Sequence, residues 1–240
     1  MKNRIVVSLP NGRQGGGSMN RAHKITLAVI AIVLCACVAA YSAVVYLKQF
    51  TFDEEKALAK WSKMIMKGQV DYTLLKQGKE GYVQALSEKA CSALYYRIGF
   101  KLSEYPVLTW QWRVLKFPDL SNAKTDLEKD DFAARVYVIF PFLSFSSSKF
   151  IEYVWAENIP AGTVMDSPAG NNVKKIVVRS GKLPGNEWAT EKRNMYEDYE
   201  KVFGKKPGMN AGAIAIMCDA EGSKSVAEST FDDIAIEKVN

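Results

Sequence analysis

A chain of 240 residues, 48% hydrophobic and 24% charged, has room for one sizeable domain and a terminal appendage, and that balance excludes a disordered chain. Its net charge of +6 marks no nucleic-acid surface, because Lys2, Arg4, Arg13, Arg21 and Lys24, with no acid among residues 1–24, supply five of the six charges. The single histidine, His23, lies in the same flank, which excludes histidine-dependent catalysis in the domain that follows.

Residues 25–47 carry no charge and are long enough to span a bilayer as a helix. Basic residues precede the run and Asp53, Glu54 and Glu55 follow it, an asymmetry that puts the N-terminus in the cytoplasm and the domain outside. A cleaved signal peptide is the rival reading, with small Ala40 and Ser42 ahead of Ala43. Met19 is an alternative start, since the Gly15-Gly16-Gly17 codons can encode a ribosome-binding site and residues 20–24 then form a short basic n-region. A lipoprotein box at Leu34-Cys35-Ala36-Cys37 is a weaker third reading, because the apolar run continues past Cys37. Two placements therefore stay open: a single-pass inner-membrane protein with its domain in the periplasm, or a periplasmic or secreted protein after cleavage. Cys91 and Cys218 are read as buried free thiols in a compartment that also permits a disulfide.

The exported domain is read over 52–240. Residues 52–67 carry helical spacing, with Ala57, Trp61, Met64 and Ile65 on one stripe, and are read as either a short helix or a capping segment that tethers the domain, ended by Gly68. Short runs rich in aromatic and branched residues follow at 70–75, 82–87 and 93–100. Residues 107–115 alternate, with Leu108, Trp110, Trp112 and Val114 on one face. In 132–140 every even position is apolar, and Arg135 and Tyr137 share the face away from the core. Further strands are expected at 150–156, 173–179, 187–193, 212–218 and 231–239, with loops at 118–130 and 160–172 and one clear helix at 195–203. Ten short strands without helical crossovers predict an all-β fold: an antiparallel β-sandwich of jelly-roll or galactose-binding-like type, with one or two short helices.

A guanidinium in mid-strand is costly to bury unless it meets a carboxylate or a ligand. Asp130, Asp131, Arg135 and Tyr137 therefore form a candidate binding site for a sugar hydroxyl or a carboxylate; the bland alternative is Asp131 or another acid simply neutralising Arg135. Arg193 and Asp198 form a second pair, which would share the Arg135 face if the two strands were neighbours. Trp110, Trp112 and Trp155 share faces with aliphatic residues and belong to the core, which leaves Trp188, beside the Gly185 turn, as the candidate platform for a sugar ring. Glu152, Glu187 and Glu191 lie on different strands without the spacing of a glycosidase pair, and neither a G-x-S-x-G elbow nor a phosphate loop occurs. No cofactor is expected, although loop acids near Asp130 and Asp219 leave calcium open.

The runs Trp110-Gln111-Trp112-Arg113-Val114, Asp130-Asp131-Phe132-Ala133-Ala134-Arg135-Val136-Tyr137 and Tyr153-Val154-Trp155 occur in order, followed by Glu191-Lys192-Arg193-Asn194, Asp198-Tyr199 and Phe203-Gly204. This set resembles the bacterial family catalogued as domain of unknown function 3047, over nearly all of residues 55–238. The resemblance implies exported bacterial proteins with a fold similar to jelly-roll carbohydrate-binding domains and no established activity. One departure is that Asp219-Ala220-Glu221-Gly222 follows Cys218 where the family pattern is richer in Asp and Asn. The expectation is an exported sandwich that binds a saccharide or cell-envelope glycan without catalysis. The alternatives are a polysaccharide-acting enzyme using Asp131 or Glu152, and a structural envelope protein whose sheet face meets a protein partner.

Overall fold

Alternation of apolar and polar residues turns most of the chain into strands, and the computed structural model describes thirteen of them over residues 44–238. One sheet joins β11 (Ala189–Asn194), β6 (Val107–Lys116), β13 (Val226–Lys238), β4 (Glu80–Glu88) and β3 (Asp71–Gln77) in that order. β13 is long enough to pair with β4 along its first half and with β1 (Val45–Phe50) along its second. The other sheet runs β2 (Ser62–Lys67), β5 (Cys91–Phe100), β12 (Ala211–Asp219), β7 (Ala134–Phe140), β8 (Lys149–Ala156), β10 (Gly170–Ser180) and β9 (Val164–Ser167).

The ten expected strands all form, and the antiparallel expectation needs one amendment. β8 and β10 are parallel neighbours. The chain leaves β8, descends through the edge strand β9 and returns as β10, which slots between β9 and β8. No helical crossover is needed, because β9 itself supplies the return path. β9 lies inside the segment 160–172 that the sequence marks as loop; its Pro and Gly residues bound a four-residue strand.

The core sits between the sheets. Trp110 of β6 stacks on Tyr153 of β8 with ring centroids 5.2 Å apart, and Trp112 meets Trp155 at 5.7 Å. All four are essentially without solvent exposure, as the alternation of both strands requires. Trp112 Nε1 donates to Glu191 at 3.2 Å and Trp155 Nε1 to the Gly181 carbonyl at 2.8 Å. Helix α1 (Met195–Phe203) falls on the predicted residues: the Asn194 side chain accepts from the amides of Tyr196 and Glu197, and Gly204 closes the helix in the left-handed region.

Of the two readings of 52–67, the short helix does not form. Residues 54–60 make turns and Ser62–Lys67 is the edge strand β2, paired with β5. Trp61 leaves the supposed stripe for the core, where it packs against Phe50 and Phe52, while Met64, Ile65 and Met66 are all exposed. Tertiary pairing with β5 outweighs a weak helical period.

Val45, Tyr46 and Leu47, the end of the apolar run 25–47, are strand residues of β1, and Phe50 is buried, so the domain reaches back to Val44 rather than starting at 52. Residues 1–43, and with them the basic flank and the remainder of that run, lie outside the described residues, as do 239–240. Among the described residues no helix is long and apolar enough to cross a membrane. Val44–Asn240 is a unit with its own core, drawn from Phe50 to Ile236, so a fragment beginning at Val44 keeps every described strand and that whole core, which is what independent folding requires.

Cys91 and Cys218 are both free. Cys218 faces Ser92 and Asp219 faces Cys91 across β12 and β5. That one-residue offset sends the two thiols to opposite faces, Cys218 into the core and Cys91 outward, so they cannot bond to each other.

Candidate functional site

The outer face of the seven-stranded sheet holds a cleft of ≈ 310 Å³. Period-two alternation builds its floor: Arg135 and Tyr137 from β7, Glu152 from β8, Met217 and Asp219 from β12 all point away from the core. Loop residues Asp130 and Asp131 close one end.

Arg135 is the centre of the floor and is 3% exposed. Its Nη1 donates to Glu152 Oε1 at 2.6 Å, and its Nη2 to Asp219 Oδ2 at 3.0 Å and to the Asp130 carbonyl. The guanidinium also lies over the Phe132 ring, 5.0 Å from its centroid. Its Nε is buried without any hydrogen-bond partner. Lys175 of β10, fully buried, donates to the Asp130 carboxylate, and Ser167 Oγ donates to the same group at 3.4 Å. Asp131 accepts from the amides of Gly222 and Ser223 at 3.2 and 2.6 Å and so fixes the turn after β12.

Burial opposes the charge on Arg135, but Glu152, Tyr137 and Asp219 more than offset it and hold the guanidinium firmly charged. Burial pushes the Tyr137 phenol well up, and the Glu152 carboxylate adds to this. Burial raises Asp219 to about 7 against the pull of Arg135, with Asp131 pushing in the same direction. The floor thus holds four carboxylates, Asp130, Asp131, Glu152 and Asp219, against two cations, and one of the four carries a proton readily near neutrality.

Above the charged floor the walls turn apolar. Met64 and Met66 of β2 line it at 44% and 49% exposure, and Leu127 and Phe145 at 61% and 57%. Phe145 leans on Phe150 of β8, ring centroids 4.9 Å apart.

Asp130, Asp131, Arg135 and Tyr137 come together as the sequence suggests. Arg135 is neutralised by other acids than Asp131, one of the two outcomes the sequence leaves open: Glu152 and Asp219 pair with it, whereas Asp131 is held by backbone amides. The other candidates lie elsewhere. β11 pairs with β6 in the opposite sheet, so Arg193 and Asp198 do not join Arg135. Arg193 Nε donates to Asp198 Oδ2 at 3.0 Å, and Tyr153 Oη donates to the same oxygen at 2.8 Å, a clasp that ties α1 to the core. Trp188 packs edge-on against Tyr82 at 5.6 Å and under Arg113 at 4.8 Å, on the outer face of the six-stranded sheet. Sequence reasoning missed Lys175, the role of Asp219 and the methionine wall. The signal for Lys175 was weaker than for Arg135, because β10 also holds Asn171, Asn172, Lys174 and Arg179 and only the alternation with Val173 and Val177 singles out a face. Among the described residues no group of three or more His, Cys, Asp or Glu stands in a metal-holding arrangement. Asp130 is tied to Lys175 and Asp219 to Arg135, which leaves the calcium expectation without a ligand set.

A family model described as a protein of unknown function (DUF3047) matches residues 59–235. Among curated proteins none matches the chain. Solved structures similar to it include the CBM22-1 xylan-binding domain of Paenibacillus barcinonensis Xyn10C, at 11% identity and a TM-score of 0.42, covering 84% of this chain and 99% of that one. The xyloglucanase domain of NopAA from Sinorhizobium fredii gives 14% identity and 0.41, covering 74% and 93%. The mannan-recognising carbohydrate-binding module TmCBM27 gives 10% and 0.35, covering 83% and 100%.

Proposed function

The chain belongs to the DUF3047 family, and we propose that it is a non-catalytic binding protein of the bacterial cell envelope whose cleft on the seven-stranded sheet takes a saccharide. The observation that carries this reading is the Arg135 Nε–H, buried without an acceptor on a side chain that lines the cleft, among carboxylates that can accept. A hydroxyl both accepts and donates, so a polyol is the chemistry that satisfies such a mixed floor. Phe145 and Phe150 offer ring faces at the wall for the apolar side of a sugar. The reading is non-catalytic because the floor carboxylates are occupied: Glu152 and Asp219 by Arg135, Asp130 by Lys175, Asp131 by two amides. Placement in the envelope rests on the basic flank and the apolar run of the sequence.

A glycan array probed with the fragment 44–240 tests the saccharide. Binding to one class of glycan is expected, with Tyr137→Phe and Phe145→Ala each weakening it by roughly ten-fold while melting as the parent does. Failure of the parent fragment to bind any glycan would remove the reading. The intact mass of the exported protein reports whether residues before Ala43 are retained.

A further inference from the structure

The walls of the cleft do not suit a sugar alone. Met64 and Met66 offer a hydroxyl only a weak thioether acceptor and Leu127 offers none, and each is 44% exposed or more. Phe142 and Leu143 carry the same apolar surface along the loop that holds Phe145, at 60% and 91% exposure. Sugar hydroxyls pressed against this wall would lose water without gaining a partner. Contiguous apolar surface of this kind marks a binding site rather than ordinary solvent-facing surface. Methionine is the side chain best able to shape itself to a flexible aliphatic ligand, and two of them stand side by side on β2. The polar groups, in contrast, are confined to the floor around Arg135.

From this division, polar below and apolar above, we infer that the ligand is an amphiphile: a saccharide head bearing an alkyl or acyl chain. The head occupies the floor and the chain lies against the apolar wall of Met64, Met66, Leu127 and Phe145. The inference rests on the saccharide reading and adds the chain to it. A volume of ≈ 310 Å³ is at the small end for ligand pockets, enough for one sugar and the first part of a chain, the remainder running along the open wall.

The test titrates the fragment 44–240 by calorimetry with maltose, dodecyl maltoside and dodecylphosphocholine, the two amphiphiles below their micellar concentrations. Dodecyl maltoside is expected to bind on the order of ten-fold or more tighter than either comparison compound. Met66→Glu and Phe145→Glu, both at exposed positions and checked by thermal melting, are expected to abolish that advantage. Equal binding of maltose and dodecyl maltoside would overturn the chain while leaving the saccharide reading in place. Equal binding of the two amphiphiles would overturn the head, and the saccharide reading with it. Binding of dodecyl maltoside unchanged in both wall variants, or no binding of it at all, would also overturn the inference, as would sedimentation of the fragment as a dimer that the wall variants dissociate. A positive glycan array beside silent alkyl glycosides separates failure of this inference from failure of the function.

Discussion

Arg135 on β7 and Glu152 on β8 are diagonal neighbours: Tyr137, not Arg135, stands directly opposite Glu152, and the guanidinium reaches across to bring Nη1 within 2.6 Å of Oε1. Their side chains are 4% and 1% exposed, so neither charge can fall back on water. A pair this deep contributes less net stability than its geometry suggests, because desolvation offsets most of the attraction. Breaking it from one side is another matter.

Arg135→Ala should therefore cost about 3–5 kcal/mol, since it strands two buried carboxylates, Glu152 and Asp219. Arg135→Met combined with Glu152→Leu should recover a good part of that loss. Urea unfolding of the fragment 44–240 measures both, and a double variant as unstable as Arg135→Ala would contradict the account. It follows that loss of ligand binding in Arg135→Ala would report unfolding as readily as lost contacts, which is why wall and phenol variants serve better.

Stability should fall as pH rises from about 4 to about 7. Asp219 sits at about 7 in the folded chain against 3.8 ordinarily, so the folded state holds its proton more tightly than the unfolded one. Its contribution is complete below the unfolded value and is lost as pH climbs through the folded one, by at most about 1.4 kcal/mol per pH unit. Half-buried Asp232, also raised to about 7 by burial against the pull of the Asp233 amide, acts in the same direction. Thermal melting from pH 4 to 8 should show the decline, with Asp219→Asn and Asp232→Asn each flattening part of it. A parent that gains stability across this window would refute the assignment.

Gly81→Ala should destabilise by about 1–3 kcal/mol. A Cβ there would overlap the Phe52 carbonyl and lie 2.8 Å from Asp53 Cα, and backbone cannot swing aside as a side chain can. The Gly81 amide also donates to Asp53 Oδ1 at 2.7 Å, which fixes that close approach. Chemical denaturation reads the effect, and a neutral substitution would show that the 52–53 segment is free to shift.

Asp198→Ala leaves both Tyr153 Oη and Arg193 without their acceptor and should cost about 3 kcal/mol, against about 1 for Tyr153→Phe, which removes only one donor. Neither should change the cleft's ligand preference in protein that remains folded, because the clasp lies with α1 and the opposite sheet. An altered preference in Tyr153→Phe would connect the two regions.

Trp188→Ala should cost about 1 kcal/mol through loss of the Arg113 and Tyr82 contacts and leave glycan binding at the cleft unchanged. A large loss of glycan binding would instead move the site to the six-stranded sheet.

The residues around Arg135 show what was readable and what was not. Alternation alone set Val136, Val138 and Phe140 inward and Arg135 and Tyr137 outward, and the structure keeps that division. It could not tell that the outward face is itself covered. Arg135 is buried because Asp219, 84 residues later, and the loop 127–131 close over it. Likewise Trp188 reads as a platform from its turn, but which sheet carries it depends on the pairing of β11 with β6. The edge strand β2 was misread because a six-residue segment with two methionines and one isoleucine fits either period, and only its partner β5 decides.

The sequence by itself determined the all-β class, ten of the thirteen strands, the span of α1 and the tryptophan core, because each follows from side-chain periods and local hydrogen bonds within a few residues. Strand order, the parallel pair β8 and β10, the partners of Arg135 and the apolar walls of the cleft were decided only by the tertiary structure. These depend on which distant segments share an edge or a face, and pairing across dozens of residues is set by how the whole core packs.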